Sequence, residues 1–201
     1  MDRTRAVGYV GVGSNIRPEE NVSKALGLLV DTPGINVTGI STFYRTAPLA
    51  DPAGSIVQIP EESQESEASD PDFLNGVLEL RTFLSTTELL NRLAGIEGTL
   101  GRERPSKRFA PRTMDLDLLL FGLDEGAGTN PHWVEIGPAG IFSHSDIQRR
   151  GFVALPLLEL APDLVLPPFS IPLRAMALSF DTPGGKPEAS FTAELRARFL
   201  P

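Results

Sequence analysis

The patterned part of the chain begins at residue 6. AVGYVGVG, residues 6–13, is an apolar run closed by Gly-Ser-Asn, which is turn chemistry, and it predicts a first strand. The period then lengthens: Val22, Ala25, Leu26 and Leu29 recur at helical spacing behind Pro18, Glu19 and Glu20, residues suited to a helix's first turn. INVTGISTFYRT, residues 35–46, is β-branched and aromatic enough for a second strand. In DFLNGVLELR, residues 72–81, Leu74, Leu78 and Leu80 share one face while Phe73, Asn75, Val77 and Glu79 share the other, which predicts a third strand. Ser85 and Glu88 form a capping box, and the stripe Leu89, Leu93, Ile96, Leu100 runs on to Gly101. Residues 112–121 predict a fourth strand. The order β-α-β-β-α-β is the ferredoxin-like pattern of an α+β fold, an antiparallel sheet with two helices on one face. The other face is left to bind something.

Three stretches fall outside that pattern. Residues 50–71, rich in Glu, Ser and Pro, bury too little to order themselves and predict a mobile acidic insertion. GFVALPLLELAPDLVLPP, residues 151–168, predicts a short apolar helix and a closing extended segment. From 169 to 201 the chain offers FTAELRARFL as a last helix and little else, so residues 1–168 are expected to form the domain and 169–201 a tail.

Composition narrows the classes. A chain of 201 residues with 41% apolar side chains supports one good core. It has no cysteine, which excludes disulfides, thiolate zinc sites and a cysteine nucleophile, and fits a reducing, cytoplasmic setting. No signal-like or 18-residue apolar segment is present, so no membrane association is expected. A net charge of −8 argues against a surface built for nucleic acid. Any phosphate site is therefore local, and GRERPSKRFAPR, residues 101–112, supplies one: five cationic side chains against Glu103 alone, a stretch of +4 in a remainder of −12. Gly101, Pro105 and Pro111 make it a loop.

That loop leads into TMDLDLLLFG, where Asp115 and Asp117 share a strand face while Met114, Leu116 and Leu118 take the other. The two carboxylates stand about 7 Å apart along the strand by its rise per residue. Like charges so close call for a compensating cation. Salt bridging to Arg112 or a neighbouring arginine is one solution; Mg²⁺, which accepts one or two carboxylates together with phosphate oxygens, is another. D-x-D alone is a weak motif and also describes two ordinary acids on a surface strand. Beside a cationic loop able to grip phosphates, it follows phosphoryl-transfer logic. No G-x-x-x-x-G-K-[ST] loop is present.

GVGSN near the start, FYRTAPL at 43–49, DFLN at 72–75, and GRERPSKRFAPRTMDLDLLLFG followed by H-x5-RGF-x3-PLLELAPDLVLP together resemble the 6-hydroxymethyl-7,8-dihydropterin pyrophosphokinase family of folate biosynthesis, over residues 6–168. The resemblance implies transfer of the β,γ-pyrophosphoryl group of ATP to the pterin hydroxymethyl oxygen, with release of AMP. It implies that Asp115 and Asp117 hold two Mg²⁺ ions, and that Arg102 and Arg112 stabilise the phosphates. Arg104, Arg108 and Phe109 would lie against ATP, as would His144 and Arg150 of the H-x5-R motif. Thr46, Leu49, Phe73, Asn75 and Phe152 would bind the pterin, the two phenylalanines sandwiching its ring. Asn15 and Glu97 would stand behind the residues that touch ligand, Glu97 orienting an arginine; an ordinary helix glutamate is the alternative for Glu97. Phe109 stands where many relatives carry tryptophan, and Ser145 where proline or tyrosine is more usual. The expected partners are ATP and the pterin, with no nucleic acid and no membrane, and the chain is expected to act as a monomer. Two other functions remain open at this level: a non-catalytic ferredoxin-like module binding nucleotide or RNA, and a metal-dependent phosphohydrolase using the same carboxylates on water.

Overall fold

The structure, a computed structural model, describes residues 5–47, 72–101, 112–124, 131–133, 147, 150–166, 171–176 and 185–201. The expected acidic insertion at 50–71 lies outside them. Seven strands are described: β1 (Ala6–Ser14), β2 (Ile35–Ile40), β3 (Tyr44–Thr46), β4 (Phe73–Thr82), β5 (Asp115–Leu123), β6 (His132–Trp133) and β7 (Lys186–Pro187). Four helices accompany them: α1 (Pro18–Val30), α2 (Thr86–Thr99), α3 (Gly151–Leu160) and α4 (Ala189–Phe199). The sheet order is β6-β5-β1-β4-β3-β7, with β2 also on β4, and every pair is antiparallel. Among the four strands expected from sequence, the spatial order is fourth, first, third, second, the α+β arrangement that the ferredoxin-like pattern calls for.

Period-two alternation in the strands builds one core. Val10 and Val12 of β1, Leu74, Leu78 and Leu80 of β4, and Leu116 and Leu118 of β5 meet Val22, Ala25, Leu26 and Leu29 of α1 and Leu89, Leu93 and Ile96 of α2. Each such leucine is worth about 1.5–3 kcal/mol when fully buried, so the helices are held mainly by this stripe. The Ser85–Glu88 capping box forms as the sequence predicts, each side chain reaching the other's backbone amide.

Three features differ from the sequence expectation. The second strand is broken. Ser41 still pairs with Val77, through its amide and its hydroxyl, but the Thr42 and Phe43 amides turn to Glu159 and to the Thr192 hydroxyl at 2.8 and 3.0 Å. β2 and β3 therefore sit on separate halves of β4. The second face of the sheet is also not left open along its length. Val7, Tyr9, Val77, Leu119 and Leu120 bury themselves under Val153 and Leu157 of α3 together with Leu164, Leu166 and Leu173. A register shift between Tyr9 and Val10, opposite Leu118–Leu120, supports this by bringing both Leu119 and Leu120 into that second core. Third, the C-terminal segment holds more than the predicted helix. Its β7 extends the sheet, and Leu195, Phe191 and Phe199 of α4 join the first core.

Candidate active site

α3 and its neighbours cover one end of the second sheet face; the candidate site occupies the other. β1 runs down its centre, and its residues on that face are Gly11 and Gly13. In register across the sheet, Gly13 lies between Asp115 and Asn75, with Tyr44 beyond Asn75; Gly11 lies between Asp117 and Val77. Residues opposite one another in an antiparallel pair share a face, so both aspartates rise on one side of a glycine-floored trough and Asn75 on the other. Two strand spacings, about 10 Å, separate the two walls. A Cβ at residue 13 would come within 3.0 Å of Asn75 Oδ1 and 3.8 Å of Asp115 Cβ. Gly13 keeps the space between Asn75 and Asp115 open, whereas the space over Gly11 is filled by Leu119, whose Cδ2 would stand 3.3 Å from a Cβ there.

The acidic wall is tied to a cation. Arg112, just before β5, forms an ion pair through Nη1 with Asp115 Oδ2, both side chains largely buried. Asn15 holds the Arg112 backbone at two points: its amide donates to the Arg112 carbonyl at 3.1 Å, and its Oδ1 accepts the Arg112 amide at 2.7 Å. The buried Ser14 hydroxyl donates to the Thr113 carbonyl at 2.6 Å. From the helix side, the buried Glu97 Oε1 accepts the Leu116 amide at 2.7 Å, between the two aspartates. The sequence predicts both as residues behind the ligand contacts, with Glu97 orienting an arginine; here Asn15 bonds the Arg112 backbone, and the Glu97 bond described goes to the strand of the aspartates.

On the opposite wall, Asn75 Nδ2 donates to the Thr46 hydroxyl at 2.8 Å, and Thr46 pairs with Phe73 in the ladder. Phe73 is half-buried at the end of β4. Phe152, in the first turn of α3, packs at the margin of the second core, and Arg150 precedes that helix as its N-cap. Arg102, Arg104, Arg108, Phe109, His144 and Leu49 lie outside the described residues. Among those described, no group of three His, Asp or Glu side chains gathers in one place. Two carboxylates with phosphate oxygens completing the shell is nonetheless a donor set that suits Mg²⁺. A groove of about 660 Å³ between α1 and the end of α2, lined by Arg17, Lys24 and Asp31 among others, lies on the helix face and shares none of these residues.

Gly11, Gly13, Ser14 and Tyr44 stand in the sequence only within the GVGSN and FYRTAPL motifs, with no role of their own, although Gly-x-Gly within an apolar strand signals close approach to that face. Tyr44 was read as a strand aromatic; it stands beside Asn75, its phenol pushed up by burial and then by the Glu159 carboxylate.

An antiparallel α+β sheet carrying paired carboxylates, a clamped arginine and a polar wall across a glycine floor defines a phosphoryl-transfer class of site. Residues 9–162 match the family model described as 7,8-dihydro-6-hydroxymethylpterin-pyrophosphokinase. Relatives named 2-amino-4-hydroxy-6-hydroxymethyldihydropteridine pyrophosphokinase include that of Pseudomonas aeruginosa, 37% identical over 79% of this chain and 83% of the relative. Others are from Synechocystis sp., 36% identical over 79% of this chain and 68% of the relative, and Haemophilus influenzae, 33% identical over 79% and 84%. The chain belongs to the 7,8-dihydro-6-hydroxymethylpterin-pyrophosphokinase family.

Proposed function

We infer that the chain transfers pyrophosphate from ATP to 6-hydroxymethyl-7,8-dihydropterin in folate synthesis, as its family does, and that the trough is where this happens. The observation that carries the site assignment is the placement of Asp115 and Asp117 across a glycine floor from Asn75, with Arg112 paired to Asp115. In the reaction, the pterin hydroxymethyl oxygen attacks the β-phosphorus. The new O–P bond forms as the bond from the β-phosphorus to the α-phosphate oxygen breaks, AMP departs and the hydroxyl proton is released.

Each described residue has a task in that step. Asn75 and Thr46 present an amide and a hydroxyl to the polar edge of the pterin, and Phe73 and Phe152 offer flat apolar surfaces to its ring. Arg112, fixed by Asn15 and Asp115, directs a guanidinium at the phosphates, where charge shifts in the transition state. Asp115 and Asp117 would hold the two Mg²⁺ ions that the family pattern implies. When bound, Mg²⁺ supplies charge neutralisation and Lewis acidity to the phosphate oxygens and the acceptor hydroxyl. Arg102, Arg104, Arg108, Phe109, His144 and Leu49 complete the ATP and pterin contacts by the family pattern. A cysteine-free composition suits a cytoplasmic setting. No helix among the described residues is long and apolar enough to cross a membrane.

The test is a product assay with ATP, Mg²⁺ and the pterin, separating AMP from ADP. Pterin-dependent AMP supports the reading. ATP breakdown without pterin would instead mark a phosphohydrolase, and tight ligand binding with no turnover would mark a binding module.

A further inference from the structure

The family match ends at residue 162, yet residues 185–200 are built into the sheet next to the candidate pterin wall. α4 packs on α1 and in the first core, and Arg196 also reaches Glu159, but most of the segment's hydrogen bonds to the rest of the chain fall on residues 40–46. Arg196 Nε donates to the Ile40 carbonyl at 2.9 Å. The Thr192 hydroxyl, 2% exposed as a residue, accepts the Phe43 amide at 3.0 Å and donates to the Glu188 carbonyl at 2.9 Å. The Glu188 amide donates to the Phe43 carbonyl at 2.8 Å, and Glu188 Oε1 accepts from Arg45 Nε at 3.0 Å. Lys186 and Pro187 pair with Arg45 and Tyr44. Gly185, at φ 85°, passes so close that a Cβ there would stand 2.5 Å from the Arg45 carbonyl and 2.6 Å from Thr46 Cγ2, so only glycine fits.

β3 needs such support. It is three residues long, it has broken from β2, and a three-residue strand has little stability of its own. What β3 fixes is the pterin wall. Thr46 accepts the Asn75 side chain, and the fully buried Phe43 ring lies under Gly76, where a Cβ would meet ring carbons at 2.9 Å. Phe43 itself is gripped by the C-terminal segment at its amide, its carbonyl and its ring, the last edge-on to Phe191 at 5.9 Å.

We propose that residues 185–200 form a strap that sets the pterin wall of the site, with Thr192 and Glu188 as positioning residues acting through Phe43 and Arg45 on Thr46 and Asn75. The proposal rests on placing the pterin at the β3–β4 wall, and the aspartate wall, two strands away, is untouched by the strap.

The experiment compares wild type, Thr192→Val, Thr192→Ser and Asn75→Ala, each measured for the KM of ATP, the KM of pterin, and pterin binding by fluorescence titration. Thr192→Val removes the acceptor of the Phe43 amide and is expected to raise the pterin KM and dissociation constant about three- to tenfold, the factor to which one hydrogen bond's net worth converts. The ATP KM stays within twofold, and Thr192→Ser, which keeps the hydroxyl, restores pterin affinity. The strap is overturned if Thr192→Val leaves pterin affinity unchanged, or if pterin and ATP parameters deteriorate together in proportion to lost folded protein. Asn75→Ala separates the two levels. Weakened pterin binding there with an unaffected Thr192→Val sinks the strap alone, whereas unaltered pterin binding in Asn75→Ala sinks the placement of the pterin and the strap with it.

Discussion

Replacing Glu97 by alanine tests how the strand of the two aspartates is held. Glu97 is 8% exposed as a residue, and Leu116, whose amide its carboxylate accepts, is 5% exposed. Among the described residues, β1 is the strand that pairs with β5 at this level, since β6 pairs with Gly122 and Leu123 at the far end. In the alanine variant the Leu116 amide loses this acceptor. A hydrogen bond to a charged group is worth about 1.5–3 kcal/mol net, and a buried amide left unpaired costs a similar amount. The better helix propensity of alanine offsets only a few tenths of a kcal/mol. The expected loss is therefore about 1.5–3 kcal/mol, a fall in melting temperature of about 3–12 °C for a chain of this size. Glu97 makes further contacts, so the figure is a floor. Glu97→Gln keeps a carbonyl oxygen within the same reach and is expected to lose less than half as much. Urea unfolding gives the stability change, and amide hydrogen exchange at Leu116 reports the bond itself. An alanine variant with an unchanged midpoint and a Leu116 amide exchanging as slowly as in wild type would refute the reasoning.

Two further outcomes follow from the same geometry. Gly13→Ala places a Cβ 3.0 Å from Asn75 Oδ1, so the Asn75 amide must shift; steady-state kinetics are expected to show a raised pterin KM with a smaller change for ATP, and equal changes in both would count against the trough. Tyr9, buried beneath α3, has its phenol pushed well above the ordinary 10.0 by burial first and by Glu79 second. Folding therefore favours the neutral phenol, and that contribution is fully present below the unfolded value near pH 10 and is lost as pH rises beyond it toward the folded value. Tyr9→Phe should show a flatter decline in denaturant midpoint above pH 10 than wild type; parallel declines would exclude this origin.

What the sequence made legible is what local periodicity encodes. Alternation in residues 72–81 separated Leu74, Leu78 and Leu80 from Asn75 and Val77 correctly, and the same rule placed Asp115 and Asp117 together against Leu116 and Leu118. The capping box named the start of α2 to the residue. Features set by distant partners were not legible. The break after Ile40 depends on Glu159 and Thr192, which lie 117 and 149 residues along the chain. The burial of half the second sheet face depends on α3, whose apolar run reads equally well as an isolated short helix. The glycine floor was hidden for a different reason: its effect comes from side chains that are absent, and strand patterns are read from those that are present.

The most direct test of the account is pterin-dependent AMP formation by Asp117→Ala beside wild type, with thermal unfolding of both. Asp117 is half-buried on the face away from the first core, so the variant is expected to fold. The expected melting temperature lies within a few degrees of wild type, with AMP formation reduced by a factor on the order of 10²–10³, the scale seen when one preorganised electrostatic contact to a transition state is removed. Wild-type rates of AMP formation in a folded Asp117→Ala protein would contradict the account.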